Sequence, residues 1–141
     1  MNKLTPNLMV GNVGETVEFY RQHLGFRLVM AVPEGQDGIL TEIPEQVDLV
    51  YALVQNGGVE LMLQAEKSLK EDVPAFAGMK IGASIALYIE VDGIDNMYKA
   101  IRPEVEIVKE LFTTWYGMRE FYLRDNNGYI LCLAEHHDTG K

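Results

Sequence analysis

Few side chains in this sequence have chemical reach. There is one thiol, Cys132, three histidines, His23, His136 and His137, and a group of aromatics that share their neighbourhood with carboxylates. A thiol becomes a nucleophile or a ligand only as the thiolate, which needs nearby positive charge or a helix N-terminus. Neither is visible around Cys132, so it reads as a small buried hydrophobe. No cysteine and histidine stand at a readable catalytic spacing. His23 falls at the end of a predicted helix, where an imidazolium suits the helix dipole. His136 and His137 follow the last predicted strand and read as a solvated tail. Gly11, Gly14, Gly57 and Gly58 read as turn and cap residues, so no glycine loop cradles a phosphate. What remains is Tyr88, Trp115, Tyr116 and Tyr122 together with Glu60, Glu90 and Glu120. Aromatic faces beside carboxylates suit a flat or cationic guest. Packing or a subunit interface accounts for any one of these aromatics, and their clustering raises the reading of a ligand wall.

The elements that must position these groups follow from periodicity. Leu4 to Val10 alternates as a strand. Asn12 offers an N-cap with Glu15 three residues on, and Val13, Val17, Tyr20 and Leu24 follow at helical spacing up to Gly25, a C-terminal cap. Strands are expected at Phe26–Val32, Val47–Val54 and Val59–Gln64, the last two joined by an Asn56-Gly57 hairpin turn. A polar connection over about 66–82, with a short helix at 67–73, leads to the stretch ASIALYIEVDGID, a strand running into a helix start near Asp92. That helix carries Ile94, Met97, Tyr98 and Ile101 and stops at Pro103. Strands at Ile107–Thr113, Met118–Leu123 and Tyr129–Ala134 complete the pattern, and the end, His136 to Lys141, reads as frayed.

The order strand, helix, three strands therefore occurs twice. A single offset of 81 residues lays Asn12 on Gly93, Val13 on Ile94, Leu8 on Ile89 and Thr5 on Ala86. Strand parity and helix stripe align together, which marks an internal duplication. The expected fold is α+β, two βαβββ modules whose sheets form a curled mixed sheet, a half-barrel cleft, with the helices on the outer face. The whole chain, 1–141, is read as one domain with module one at about 4–65 and module two at about 83–135. Parity puts Thr5, Asn7, Met9, Glu60, Met62, Gln64, Ala86, Tyr88, Glu90, Ile130, Cys132 and Ala134 on the inner face. That mixed polar and aromatic surface looks like a cleft wall.

Composition narrows the classes of partner. A chain of 141 residues, 48% hydrophobic and 23% charged, supports an ordinary core. A formal charge of −9 repels nucleic acid and anionic lipid. No apolar run is long enough to span a bilayer. The opening residues, MNKLTPNLMVGN, carry no secretory pattern, and one cysteine makes no internal disulfide, so a cytoplasmic location is expected.

The stretch LTPNLMVGNVGETVEFYRQHLGF, with Phe19-Tyr20 followed by Leu24-Gly25-Phe26, resembles the opening of the vicinal oxygen chelate superfamily. That superfamily includes glyoxalase I, bleomycin resistance proteins, fosfomycin resistance enzymes and extradiol dioxygenases. YIEVDGID repeats the resemblance, and FYLRDNNGYILCL is similar to the family's D-P-D-G-N-x-I-E-L ending, with Asn126 in place of the proline. The resemblance covers about residues 4 to 135. It implies four strand positions that in the family's metalloenzymes hold a divalent metal with His, Glu or Gln. Here they fall on Thr5, on Glu60 or Met62, on Ala86 and on Cys132. Ala86 cannot ligate and Thr5 is a poor ligand, whereas a catalytic site of this kind needs about three protein ligands and an open position. No metal, no cofactor and no catalytic residue are therefore expected.

The resemblance then implies a non-catalytic protein of the bleomycin-resistance-like branch that binds or sequesters a small molecule, cationic or aromatic. Its cleft would be lined by Tyr88, Glu90, Trp115, Tyr116 and Tyr122, with Glu60 at its floor and Met62 as a further ligand-binding residue. A homodimer is expected, since the family commonly builds its clefts where modules of two chains meet. The alternatives are a lyase, isomerase or dioxygenase of the same superfamily with a degenerate metal site, and a sensor whose surface binds a protein partner.

Overall fold

In a computed structural model, residues 1–35 and 37–137 are described, and the chain divides into two compact units, Met1–Gly82 and Ala83–Lys141. The frayed end expected from 138 onward lies outside the described residues.

The first unit runs β1 (Asn7–Val10), α1 (Val13–Leu24), β2 (Arg27–Pro33), β3 (Leu49–Asn56), β4 (Val59–Ala65), α2 (Glu66–Asp72) and a 3-10 turn at Pro74–Phe76. Its sheet has the order β1-β4-β3-β2, with β1 parallel to β4 and the other pairs antiparallel. The second unit repeats this with β5 (Ala86–Glu90), α3 (Ile94–Ile101), β6 (Glu106–Thr113), β7 (Met118–Arg124) and β8 (Ile130–His136), in the order β5-β8-β7-β6 with β5 parallel to β8. The fold is thus α+β, two βαβββ modules, each with an open four-stranded mixed sheet. Among the described residues no helix is long and apolar enough to cross a membrane.

Alternation decides which face is core. Leu8, Ala52, Val54, Leu61 and Leu63 occupy one face of the first sheet and are buried, together with Val13, Val17, Tyr20 and Leu24 of α1. Phe121, Leu123, Leu131 and Leu133 do the same in the second sheet, with Ile94 and Ile101 of α3. In the first unit the rings of Tyr20 and Phe26 meet edge to face at 5.4 Å, and in the second those of Tyr98 and Phe121 at 5.0 Å.

The two corresponding helices start 81 residues apart, at Val13 and Ile94, but are capped differently. At α1 the Asn12 side chain accepts from the Glu15 amide at 2.8 Å, a local cap worth about 1 kcal/mol. Gly25 ends the helix in the left-handed region at φ 70°, which costs a glycine nothing. At α3 the N-cap is Gly93, which has no side chain to offer. Glu135 of β8 supplies the carboxylate instead, accepting from the Gly93 and Ile94 amides at 2.8 and 2.9 Å.

Some local expectations are corrected. The first strand begins at Asn7, so Thr5 precedes it, although the Met62 amide still donates to the Pro6 carbonyl at 2.8 Å. Within ASIALYIEVDGID the strand begins only at Ala86, so Ile85 lies before it and is exposed, while Leu87, Ile89 and Val91 are half-buried. The hairpin between β3 and β4 turns on Gly57-Gly58, because Asn56 pairs with Val59 as a strand residue and donates its side-chain amide to the Leu24 carbonyl at 2.9 Å. His136 is the last residue of β8, paired with Met118, because the β7–β8 ladder runs two residues further than the apolar alternation does.

The remote cap makes a pH prediction. Hydrogen bonds from the Ile94 and Gly93 amides hold the Glu135 carboxyl below its usual 4.5. A lowered carboxyl pKa adds stability that is present above the unfolded value and disappears as pH falls through the folded one. The protection of the Gly93 and Ile94 amides, taken relative to an unstructured amide at the same pH, should therefore fall on acidification through that window. Glu135→Gln should weaken their protection at neutral pH and flatten the pH response there; an unchanged response in the variant would show that another group caps α3.

Candidate functional site

The strand registers assign the expected inner-face residues other than Thr5, which precedes β1. In the first unit Asn7 pairs with Met62, Met9 with Gln64, Leu53 with Met62, Tyr51 with Gln64 and Gln55 with Glu60. In the second, Ala86 pairs with Ile130, Tyr88 and Tyr122 with Cys132, and Glu90 and Glu120 with Ala134. Asn7 and Tyr88 are related by the same offset of 81 that relates the two helix starts. Their partners across the parallel pair, Met62 and Cys132, are thus equivalent, and Glu60 corresponds to Ile130.

On the first face the polar groups satisfy one another. Glu60 takes the Lys3 ammonium at 2.6 Å and the Gln55 side-chain amide at 3.2 Å. Gln55 in turn accepts from Arg27. Gln64 accepts from Asn7 at 2.9 Å and donates to Ser68 at 2.9 Å and to Asp72 at 2.8 Å, which ties α2 to the sheet.

The second face is organised differently, around a carboxylate. Glu120 is only 1% exposed. Its Oε2 accepts from the Tyr88 hydroxyl at 2.8 Å and from the Tyr116 hydroxyl at 3.1 Å. Among the described residues no lysine or arginine reaches it as an ion pair. Tyr88 and Tyr116 themselves are 50% and 52% exposed, so the phenols stand between the carboxylate and the outside. Tyr116 is held by the tight turn after β6, where the Met118 amide donates to Thr114 Oγ1 at 2.9 Å. Trp115 in the same turn is 93% exposed and meets the Tyr116 ring edge-on at 5.3 Å. Glu90 is exposed at the end of β5.

These neighbours leave their mark on the titrating groups. Desolvation, then the hydrogen bond and charge of Glu120, push the Tyr88 and Tyr116 phenols up. The hydrogen bond with Cys132, then desolvation, pushes Tyr122 up to about 12. Burial pushes the Cys132 thiol up to about 11. At neutral pH all four groups keep their protons.

The sequence places Tyr88, Tyr116 and Tyr122 in one neighbourhood, and they do lie within the second unit around Glu120 and Cys132. Trp115 adjoins them through Tyr116. Glu60 and Met62 lie on the corresponding face of the first unit. Glu120 stands in the sequence only as one carboxylate among several. Its central position was available from β7, where core residues Phe121 and Leu123 force Glu120 and Tyr122 onto the opposite face.

The donor chemistry does not fit the family's divalent metal. Thr5 precedes the strand, Ala86 presents a methyl group, Met62 a thioether, and Cys132 a thiol whose proton is held tightly. Glu60 is already engaged by Lys3. Among the described residues no three His, Cys, Asp or Glu are grouped to hold a metal ion.

Paired βαβββ modules with this inner face define a class, and sequence comparison identifies it. Residues 3–133 match the Glyoxalase/Bleomycin resistance protein/Dioxygenase superfamily, and the chain belongs to that superfamily. The bleomycin resistance protein of Geobacillus stearothermophilus is 25% identical over 134 residues, covering 92% of this chain and 93% of that protein. Among solved structures, a protein of unknown function from Agrobacterium tumefaciens superposes with a TM-score of 0.73 at 22% identity, covering 96% of this chain and 94% of its own. A glyoxalase/bleomycin resistance protein/dioxygenase from Nocardioides gives 0.70 at 22% identity, covering all of this chain and 87% of its own. The two structures establish likeness of fold alone.

The state of Cys132 can be checked directly. Thiolate is the reacting species, and each pH unit below the thiol pKa cuts it tenfold. At pH 8 the native chain, whose thiol is both raised and buried, should react with a disulfide reagent at least about a hundredfold more slowly than the urea-unfolded chain, whose thiol titrates near 8.5. The native rate should climb steadily toward pH 11. Equal native and unfolded rates would mean that the thiol is neither buried nor raised.

Proposed function

We propose that this chain is a non-catalytic small-molecule binding or sequestering protein, similar in role to bleomycin resistance proteins, for a cationic or aromatic ligand. It would act as a homodimer in the cytoplasm. The observation that carries the reading is the exchange of chemistry on the inner face. Where the resemblance calls for metal ligands, this chain has a methyl, a thioether and a tightly held thiol, and beside them a buried carboxylate faced by phenols. The ligand would rest on Tyr88, Tyr116 and Tyr122, with Trp115 as an exposed aromatic flap and Glu90 as a rim charge. On the first unit the corresponding face offers Glu60 and Met62. The formal charge of −9 favours approach of a cation.

A lyase, isomerase or dioxygenase activity is the second reading, favoured by membership of a superfamily that contains such enzymes. It requires chemistry without the family's donor set, and a metal-dependent rate on a thiohemiacetal or a catechol would select it.

The test is binding without turnover. Bleomycin, the ligand named for the relatives, should raise the unfolding temperature and quench Trp115, the only tryptophan. A ligand bound only to the folded state at about 100 times its dissociation constant adds about 2.7 kcal/mol. Trp115→Phe, which keeps an aromatic ring in the flap, should remove the quench and lose only part of the stabilisation. Absence of any shift with bleomycin and with a panel of cationic aromatics would end the binding reading. So would about one tightly held transition metal per chain after chelator-free purification.

A further inference from the structure

The direction of the hydrogen bonds around Glu120 narrows the ligand class, and this inference rests on the binding role proposed above. Both phenols donate to the Glu120 carboxyl group. The distances, 2.8 Å from Tyr88 and 3.1 Å from Tyr116, both to Oε2, place both protons on that one oxygen. A phenol has a single proton. Once it is committed inward, the oxygen retains only lone pairs; Tyr116 already shares its own with the Thr114 hydroxyl, and what is left on the two oxygens can be offered outward. Both rings are about half exposed while the carboxylate behind them is buried, so an incoming molecule meets the phenol oxygens first. The raised pKa values of Tyr88 and Tyr116 agree, since a phenol hydrogen-bonded to an anion holds its proton.

We propose that Glu120 is a positioning residue that turns this patch into an acceptor-only surface, and that the group it takes is an N–H donor cation, an amidinium, guanidinium or primary ammonium. The claim is narrower than a preference for positive charge. A quaternary ammonium carries the same charge and can lie against the same rings, but has no proton to give to Tyr88 and Tyr116. Two convergent acceptors backed by a buried negative charge should separate the two kinds of cation. A hydrogen bond to a charged group is worth enough for about tenfold in affinity. Anions should be refused outright, since they would face lone pairs with the carboxylate behind.

The experiment compares benzamidinium with phenyltrimethylammonium, two flat monocations, and uses benzoate as the anion. Each is titrated into the full chain while the tyrosine ring resonances are followed. Benzamidinium should shift Tyr88 and Tyr116 and bind about tenfold more tightly than phenyltrimethylammonium, with benzoate inert. In Glu120→Gln the amide can donate as well as accept, the phenols are free to reorient, and the gap between the two cations should close. Should that variant fold poorly, the double variant Tyr88→Phe with Tyr116→Phe removes the acceptors and should close the gap by the other route. Equal affinity of the two cations for the wild-type chain would overturn the acceptor assignment and leave aromatic–cation binding standing. So would a gap that survives Glu120→Gln. Failure of all three probes to move these rings would overturn the assignment too, and the bleomycin titration would then decide the wider reading separately.

Discussion

Each unit depends on one parallel pairing, that of its first strand with its last. Parallel neighbours cannot be joined by a tight turn, so the helix and the two intervening strands must lie between them in the chain. Once the pairing is made, its register settles the identity of both faces, because a slip of one residue would exchange core for exterior along the whole strand. Asn7 opposite Met62 and Tyr88 opposite Cys132 are the same register written twice. That equivalence joins Leu8 with Leu63 and Ile89 with Leu133 on the covered faces, and it leaves the inner faces to diverge. The first filled its face with mutually satisfied amides and an ion pair. The second gathered tyrosines around a carboxylate.

The same divergence is seen at the helix starts. Both helices must satisfy free amides at the first turn. Asn12 does so from the adjacent position, so this helix start could be read directly from the sequence. Gly93 cannot, and its place is taken by Glu135, 42 residues further along. No local pattern announces such a partner. It becomes visible only when β8 is laid against β5 and its end reaches the helix start. Sequence reasoning located the helix to within two residues, because Ile94, Met97, Tyr98 and Ile101 repeat at helical spacing, and it had no means of naming the cap.

The candidate site was legible to a similar depth. Alternation assigned Met62, Tyr88, Glu90 and Cys132 to a common kind of face, and the pairing bears that out. The duplication offset identified Ala86 as the counterpart of Thr5. What alternation leaves out is which partner a polar tip selects. Tyr88 belongs to an edge strand, Tyr116 to a turn and Glu120 to an inner strand, 32 residues after Tyr88 and 4 after Tyr116, and only the folded sheet brings their oxygens together. The Asn56-Gly57 turn failed for a related reason. Asn56 is drawn away by the Leu24 carbonyl at the end of α1, a tertiary demand that local turn preference does not contain.

Glu120 also bears on how the fold tolerates its own function. A carboxylate removed from water is costly unless its lone pairs are satisfied and its charge is countered. Glu60, in the other unit, meets both needs with Lys3 and Gln55. Glu120 meets the first with two phenols, and among the described residues no lysine or arginine closes an ion pair with it; Lys109, opposite Tyr122 on the same face, is the cation whose charge is felt at Cys132. Phenols stabilise an anion without neutralising it, so the negative field persists at the two half-exposed oxygens. Filling the position with a leucine would suit the packing of the strand and remove that field. Keeping a carboxylate there without an ion pair makes sense physically if a further cation arrives from outside to share the two half-exposed phenol oxygens.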